Sequence, residues 1–102
     1  VPEYRDVVKA HRRLEILRAL DQDPSGQHND SVLQGLLDAR AHTATRDQIR
    51  TELSWLSEQD LIQLEHVGPD AEYYVAQITE RGHEVAMGRT KVPGVEKPRP
   101  GR

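Results

Sequence analysis

The spacing of apolar residues changes abruptly at Leu61, and this change restricts the possible folds more than any other feature of the chain. Upstream, Ile49, Leu53 and Leu56 recur at the intervals that put side chains on one face of a helix. Downstream, Ile62 and Leu64, with Val67 beyond them, alternate with Gln63, Glu65 and His66, which is strand spacing. After Gly68-Pro69-Asp70, a turn sequence, Tyr73-Tyr74-Val75-Ala76-Gln77-Ile78 supplies a second strand. A helix that runs directly into a β-hairpin is therefore predicted for residues 45–78.

The start of that helix is marked by Thr45 with Gln48 three residues later. This pattern fits a capping box, in which two side chains satisfy backbone amides that a helix start leaves free. Its outer face would carry Asp47, Thr51, Ser54 and Glu58, while Trp55 on the flank closes the core edge against the first helix. Two helices precede it. One spans about Tyr4 to Leu20, with Val7, Val8, Leu14, Ile16, Leu17 and Leu20 as its stripe, and stops at Asp21-Gln22-Asp23-Pro24-Ser25-Gly26. The other is capped within Asn29-Asp30-Ser31, carries Val32, Leu33, Leu36, Leu37 and Ala39, and runs to about Ala41. A last short helix is capped by Thr79 and runs through Met87, with Gly88 as its stop. The expected class is α+β, mainly α, with three helices, a two-stranded hairpin and a C-terminal helix. The domain is assigned to residues 1–88, and residues 89–102, rich in Pro, Gly and positive charge, read as a disordered basic tail.

Composition excludes several functions. The chain has 102 residues, 35% hydrophobic, and no cysteine, so neither disulfides nor thiolate metal sites are available. Its five histidines lie in separate segments, and nearby acid pairs such as His11 with Glu15 and His83 with Glu84 make no metal site by themselves. No cofactor is expected. No apolar run reaches the roughly 18 to 20 residues of a membrane span, and the opening residues lack the pattern of a signal peptide. The reading is a cytoplasmic protein with no membrane partner. A phosphate loop, a cysteine nucleophile and a serine beside a plausible base are all lacking, and Asp21 and Asp23 fall in an apolar-poor loop, so no enzyme is expected.

Charge is unevenly distributed. Residues 1–20 carry five basic and three acidic groups, residues 21–84 four and thirteen, and residues 85–102 five and one. An acidic body between two basic ends differs from the basic stripe of a strong nucleic-acid binder.

The element order is that of a winged helix-turn-helix. Thr45 to Ile62, a helix ending in leucines and entering the first wing strand, resembles the recognition helix of ArsR, MarR and PadR regulators. Ile78-Thr79-Glu80-Arg81-Gly82 is similar to the Thr-x-x-Gly step after the wing in that superfamily. Val8 to Arg18, Glu52-Leu53-Ser54-Trp55-Leu56 and the ending Val92 to Gly101 further resemble a family of small, ArsR-like winged-helix proteins of Mu-like phages and prophages. Many of the broader regulators have Gly where Asp60 stands, and Asp tolerates the same left-handed backbone. Their wings commonly present Arg or Lys, whereas Glu65, His66, Asp70 and Glu72 surround this turn.

The resemblance implies double-stranded DNA binding by a homodimer, a role in transcription regulation and a place in a phage programme. Thr45, Arg46, Asp47, Arg50, Thr51 and Ser54 would read the major groove, since Arg can pair with guanine and hydroxyls can bond base edges or phosphates. Arg5, Lys9 and Arg12 on the first helix, and Lys91, Lys97 and Arg99 in the tail, are candidate phosphate contacts. Leu14, Leu17, Val85 and Met87 are candidate dimer residues. The alternative is a protein-interaction module in phage packaging or assembly, using the same scaffold to engage a phage protein partner without specific DNA binding.

Overall fold

The computed structural model describes residues 3–99. Four helices and three strands follow in the order α1 (Tyr4–Gln22), β1 (Gln27–Asn29), α2 (Asp30–Ala39), α3 (Arg46–Glu58), β2 (Ile62–Val67), β3 (Tyr73–Ile78) and α4 (Glu80–Ala86). The architecture is α+β and mainly helical, with one antiparallel sheet in the order β1-β3-β2. The hairpin register pairs Ile62 with Ile78 and Val67 with Tyr73.

Helix starts follow local chemistry. Asn29 accepts the Val32 amide at the head of α2, and Thr45 and Gln48 form the complete capping box at the head of α3. Ile49, Leu53 and Leu56 of α3 are fully buried against Leu17 and Leu20 of α1 and Leu33 and Leu37 of α2 in one core. At about 1.5 to 3 kcal/mol per buried aliphatic side chain, this stripe fixes the rotation of α3 about its axis. Asp60, at φ 61°, makes the left-handed step from α3 into β2.

The Thr79-to-Gly82 step has a steric cause. The Thr79 hydroxyl accepts the Gly82 amide at 3.0 Å and donates to the Asp60 carbonyl at 2.7 Å, drawing α4 against the end of α3. A Cβ on Gly82 would stand 2.1 Å from the Leu61 carbonyl oxygen, so only glycine fits this approach.

Several expectations are corrected. β1 was not anticipated; it exists because Gly26, at φ 67°, turns the chain so that Gln27, His28 and Asn29 pair with Gln77, Ala76 and Val75. Helix α2 ends at Ala39 rather than Ala41, which adopts φ 58°, and α4 ends at Ala86 with Met87 as its cap. The tail is not free over residues 89–99. Val92 and Val95 are buried in the main core, and the Glu96 amide donates to the Ala10 carbonyl at 3.1 Å, so the segment folds back along α1 as a strap. Gly94 lies on the Trp55 indole, where a Cβ would be 2.9 Å from Cζ2. Arg102, also assigned to the basic tail, lies outside the described residues. Leu14, Leu17 and Val85 are buried within this chain and are not available to a dimer interface, whereas Met87 is half exposed.

Candidate nucleic-acid interface and its buried carboxylates

Helix α3 carries six candidate readers, and the structure divides them. Thr45, Asp47, Thr51 and Ser54 are exposed. The Thr45 hydroxyl is engaged in the helix cap, and the Thr51 hydroxyl donates to the Asp47 carbonyl at 2.9 Å. Arg46 and Arg50 instead turn toward Asp30, the first residue of α2, whose side chain is fully buried.

Asp30 is a hub joining three elements. Arg50 Nε donates to its Oδ2 at 2.6 Å, Arg46 Nε donates to the same oxygen at 3.0 Å, and the Tyr74 amide of β3 donates to Oδ1 at 3.2 Å. Each guanidinium also donates through Nη2 to the Glu72 carbonyl, at 3.2 Å from Arg46 and 2.6 Å from Arg50. Arg46 lies 5.4 Å from the Tyr73 ring and Arg50 lies 4.4 Å from the Tyr74 ring. Burial pushes the Asp30 pKa up, but hydrogen bonds from Arg46, Arg50 and the Tyr74 amide outweigh it and hold the carboxyl at about 2. The two arginines therefore fasten the hairpin to α2 and α3. Arg46 keeps 40% of its side chain in solvent and Arg50 keeps 27%.

A second buried carboxylate lies on the opposite flank of α3. Glu52 is 1% exposed, and it accepts from Arg13 Nε at 2.8 Å and Arg12 Nη1 at 3.4 Å, which ties α3 to α1. Arg13 stacks 3.9 Å from the Trp55 centroid and donates Nη1 to the Gly94 carbonyl at 3.1 Å, joining the strap to both helices. Arg12 is buried, which removes it from the candidate phosphate contacts. The importance of Glu52 was missed although its position carried a signal: it falls between Ile49 and Leu56, inside the apolar stripe of α3.

The remaining phosphate candidates, Arg5, Lys9, Lys91, Lys97 and Arg99, are all exposed, and among the described residues none makes an ion pair. They lie on the first turns of α1 and on the strap. The hairpin side is the reverse: Glu65, His66, Asp70 and Glu72 are exposed, and His66 stacks on Tyr74 at 4.2 Å between centroids. Three of the five histidines lie beside carboxylates other than their sequence neighbours. His83 Nδ1 lies 2.6 Å from Asp21 Oδ1, His28 Nε2 lies 3.5 Å from Asp23, and His11 Nε2 lies 3.6 Å from Glu96. The hydrogen bond to Asp21 raises the His83 pKa. Among the described residues, no three His, Asp or Glu side chains converge on a possible metal position, and no helix is long and apolar enough to cross a membrane.

The fold and these clusters define a small α+β domain whose central helix is fixed on two sides by buried arginine–carboxylate groups. Over 95 residues the chain is 43% identical to the protein gp26 of Escherichia phage Mu, covering 93% of this chain and 95% of that protein, and it belongs to the same family. It is also 34% identical over 98 residues to a protein of Haemophilus influenzae, covering 91% and 93% of the two chains. No family model matches the sequence, and no solved structure matches it.

Proposed function

We propose that this phage-related protein is a winged helix-turn-helix that binds double-stranded DNA, most simply as a regulator within a phage programme. The observation that carries the reading is the presentation of α3. Its capping box fixes the start, Asp30 and Glu52 brace its two flanks, and Asp47, Thr51 and Ser54 form an exposed row along the helix. A rigid helix with an exposed polar row suits a major groove, where hydroxyls can bond base edges or phosphates and a carboxylate can accept from cytosine N4. The sheet order β1-β3-β2, with the hairpin following α3, fits the same scaffold.

In this reading Arg46 and Arg50 are positioning residues rather than guanine readers, since both guanidinium groups are committed to Asp30 and Glu72. Base discrimination then rests on Thr51, Ser54 and Asp47. The test is binding to a duplex from the protein's own upstream region and to a scrambled duplex at roughly 50 to 200 mM salt. The upstream duplex should bind more tightly, and Thr51→Val with Ser54→Ala should erase the preference, a loss of roughly tenfold or more. Absence of binding to either duplex at the lowest salt overturns the reading.

One observation favours a protein partner as the second reading. Around α3 and the hairpin, Asp30, Asp47, Glu58, Glu65, Asp70 and Glu72 outnumber Arg46 and Arg50, a balance that repels phosphates. The same titration separates the two readings, because a protein-interaction module would bind neither duplex.

A further inference from the structure

Winged-helix DNA binders need cations against the phosphates, and here the hairpin does not provide them. We propose that the groove between α1 and the strap is the phosphate-gripping surface of the protein, and that it takes the sugar–phosphate backbone of duplex DNA; the proposal rests on the DNA-binding reading above.

The groove has a volume of about 330 Å³ and is walled by His11, Leu14, Glu15 and Arg18 of α1 and by Glu96, Lys97, Pro98 and Arg99 of the strap. It exists because the strap is docked. The Glu96 amide bonds the Ala10 carbonyl, Val92 and Val95 are buried, and Pro98 sits against Gly88, with 3.2 Å between Pro98 Cγ and a Cβ built on that glycine. Cations that composition assigned to a free tail are thereby placed on a folded surface next to α1.

The partners of each charge decide what the groove can bind. Of its two carboxylates, Glu15 is paired with Arg40 at 3.1 Å and Arg18 at 3.6 Å, while Glu96 lies 3.6 Å from His11, which offsets its charge only when protonated. Lys97 and Arg99 are exposed and make no ion pair among the described residues, and Lys9 is exposed one residue before the strap's anchor at Ala10. Four arginines elsewhere are held by buried carboxylates, Arg12 and Arg13 by Glu52 and Arg46 and Arg50 by Asp30, whereas Arg5, near the start of α1, is exposed and makes no ion pair among the described residues. An anion approaching Lys97 and Arg99 displaces no internal partner, whereas one approaching Arg46 or Arg50 competes with a buried carboxylate at 2.6 to 3.0 Å. A polymer of phosphates fits an open groove with separated cations, because each neutralised phosphate releases a counterion.

The experiment measures binding of the full chain to a short labelled duplex from its own upstream region over a salt series, in wild type and in three variants. Lys97→Gln with Arg99→Gln should leave the circular dichroism spectrum unchanged and lower the slope of log affinity against log salt by roughly 0.9 per cation removed. The conservative pair Lys97→Arg with Arg99→Lys should retain the slope, and Thr51→Val with Ser54→Ala should change sequence preference without changing it. A Lys97/Arg99 glutamine variant with an unchanged slope overturns the groove while leaving DNA binding intact. A wild-type chain that binds no duplex overturns the underlying reading and the groove with it. Inorganic phosphate at matched ionic strength should compete no better than chloride; specific displacement by phosphate would assign the groove to the free anion and overturn the backbone assignment.

Discussion

Asp30 and Glu52 are both buried carboxylates, and each accepts from two arginines, yet they organise the molecule differently. The Glu52 partners belong to α1, are 8% and 14% exposed, and join a cluster closed by Trp55 and the strap. The Asp30 partners belong to α3 itself and remain 40% and 27% exposed, reaching through the Asp30 carboxylate and the Glu72 carbonyl to the hairpin. One cluster is an interior brace, whereas the other lies at the surface where a reading helix would meet its target. Two arginines on the exposed side of a helix therefore do not by themselves make a DNA-contacting face, because a buried acid from the preceding helix can claim them both.

Breaking the interior brace should have the largest effect. Glu52→Ala leaves Arg12 and Arg13 buried without their counter-ion, and the expected loss is about 3 to 5 kcal/mol of unfolding free energy by denaturant titration. Reversing the chemistry sharpens the comparison: Glu52→Gln with Arg12→Met should recover part of that loss, since it removes the acid together with its more buried partner and leaves only Arg13, which keeps its bond to the Gly94 carbonyl, without a counter-ion.

Asp30→Asn should be milder, about 1 to 3 kcal/mol, because Arg46 and Arg50 can turn to solvent once released. Its pH signature separates the two sites. The Asp30 carboxyl titrates at about 2 in the folded chain against 3.8 unfolded, so its contribution is complete above the unfolded value and disappears as pH falls from about 4 through about 2. The Asn variant should lack that component of acid destabilisation, and an unchanged acid limb would show that Asp30 is not ionised in the native state.

The smallest expected effect lies away from both hubs, at the contact between α1 and α4. The folded pKa of His83 is raised by Asp21, so the contribution of that pair is complete below the ordinary histidine value of 6.5 and is lost as pH rises through the higher folded value. His83→Gln should remove this alkaline-side decline while changing stability little at high pH, as thermal unfolding across neutral pH would record.

What the sequence revealed follows from how locally each feature is determined. The α3 start and the hairpin are set by short stretches of sequence, the capping box and the two alternating runs around one turn, and were legible, whereas the left-handed Asp60 was expected from the resemblance to regulators with Gly at that step. Strand β1 was not, because Gln27, His28 and Asn29 have no strand-like composition and become a strand only by pairing with β3. The strap was misread for a related reason: proline, glycine and charge describe a disordered tail, while Val92 and Val95 acquire meaning only against a core built by residues far away. At the candidate site, the exposed row of α3 was legible from helical spacing, but the capture of Arg46 and Arg50 depends on Asp30 and on the Glu72 carbonyl, each many residues distant.

The return of the strap onto α1 also bears on how this chain reaches its native state during synthesis. Arg13 bonds the carbonyl of a residue 81 positions later, and Ala10 bonds Glu96, so α1, made before the other helices of this domain, completes its environment with residues made after all of them. Closing such long loops is entropically costly and slow compared with forming α3 or the hairpin. A nascent chain halted before Val92 would carry α1 with its flank uncovered, so completion of the core waits for the strap to emerge.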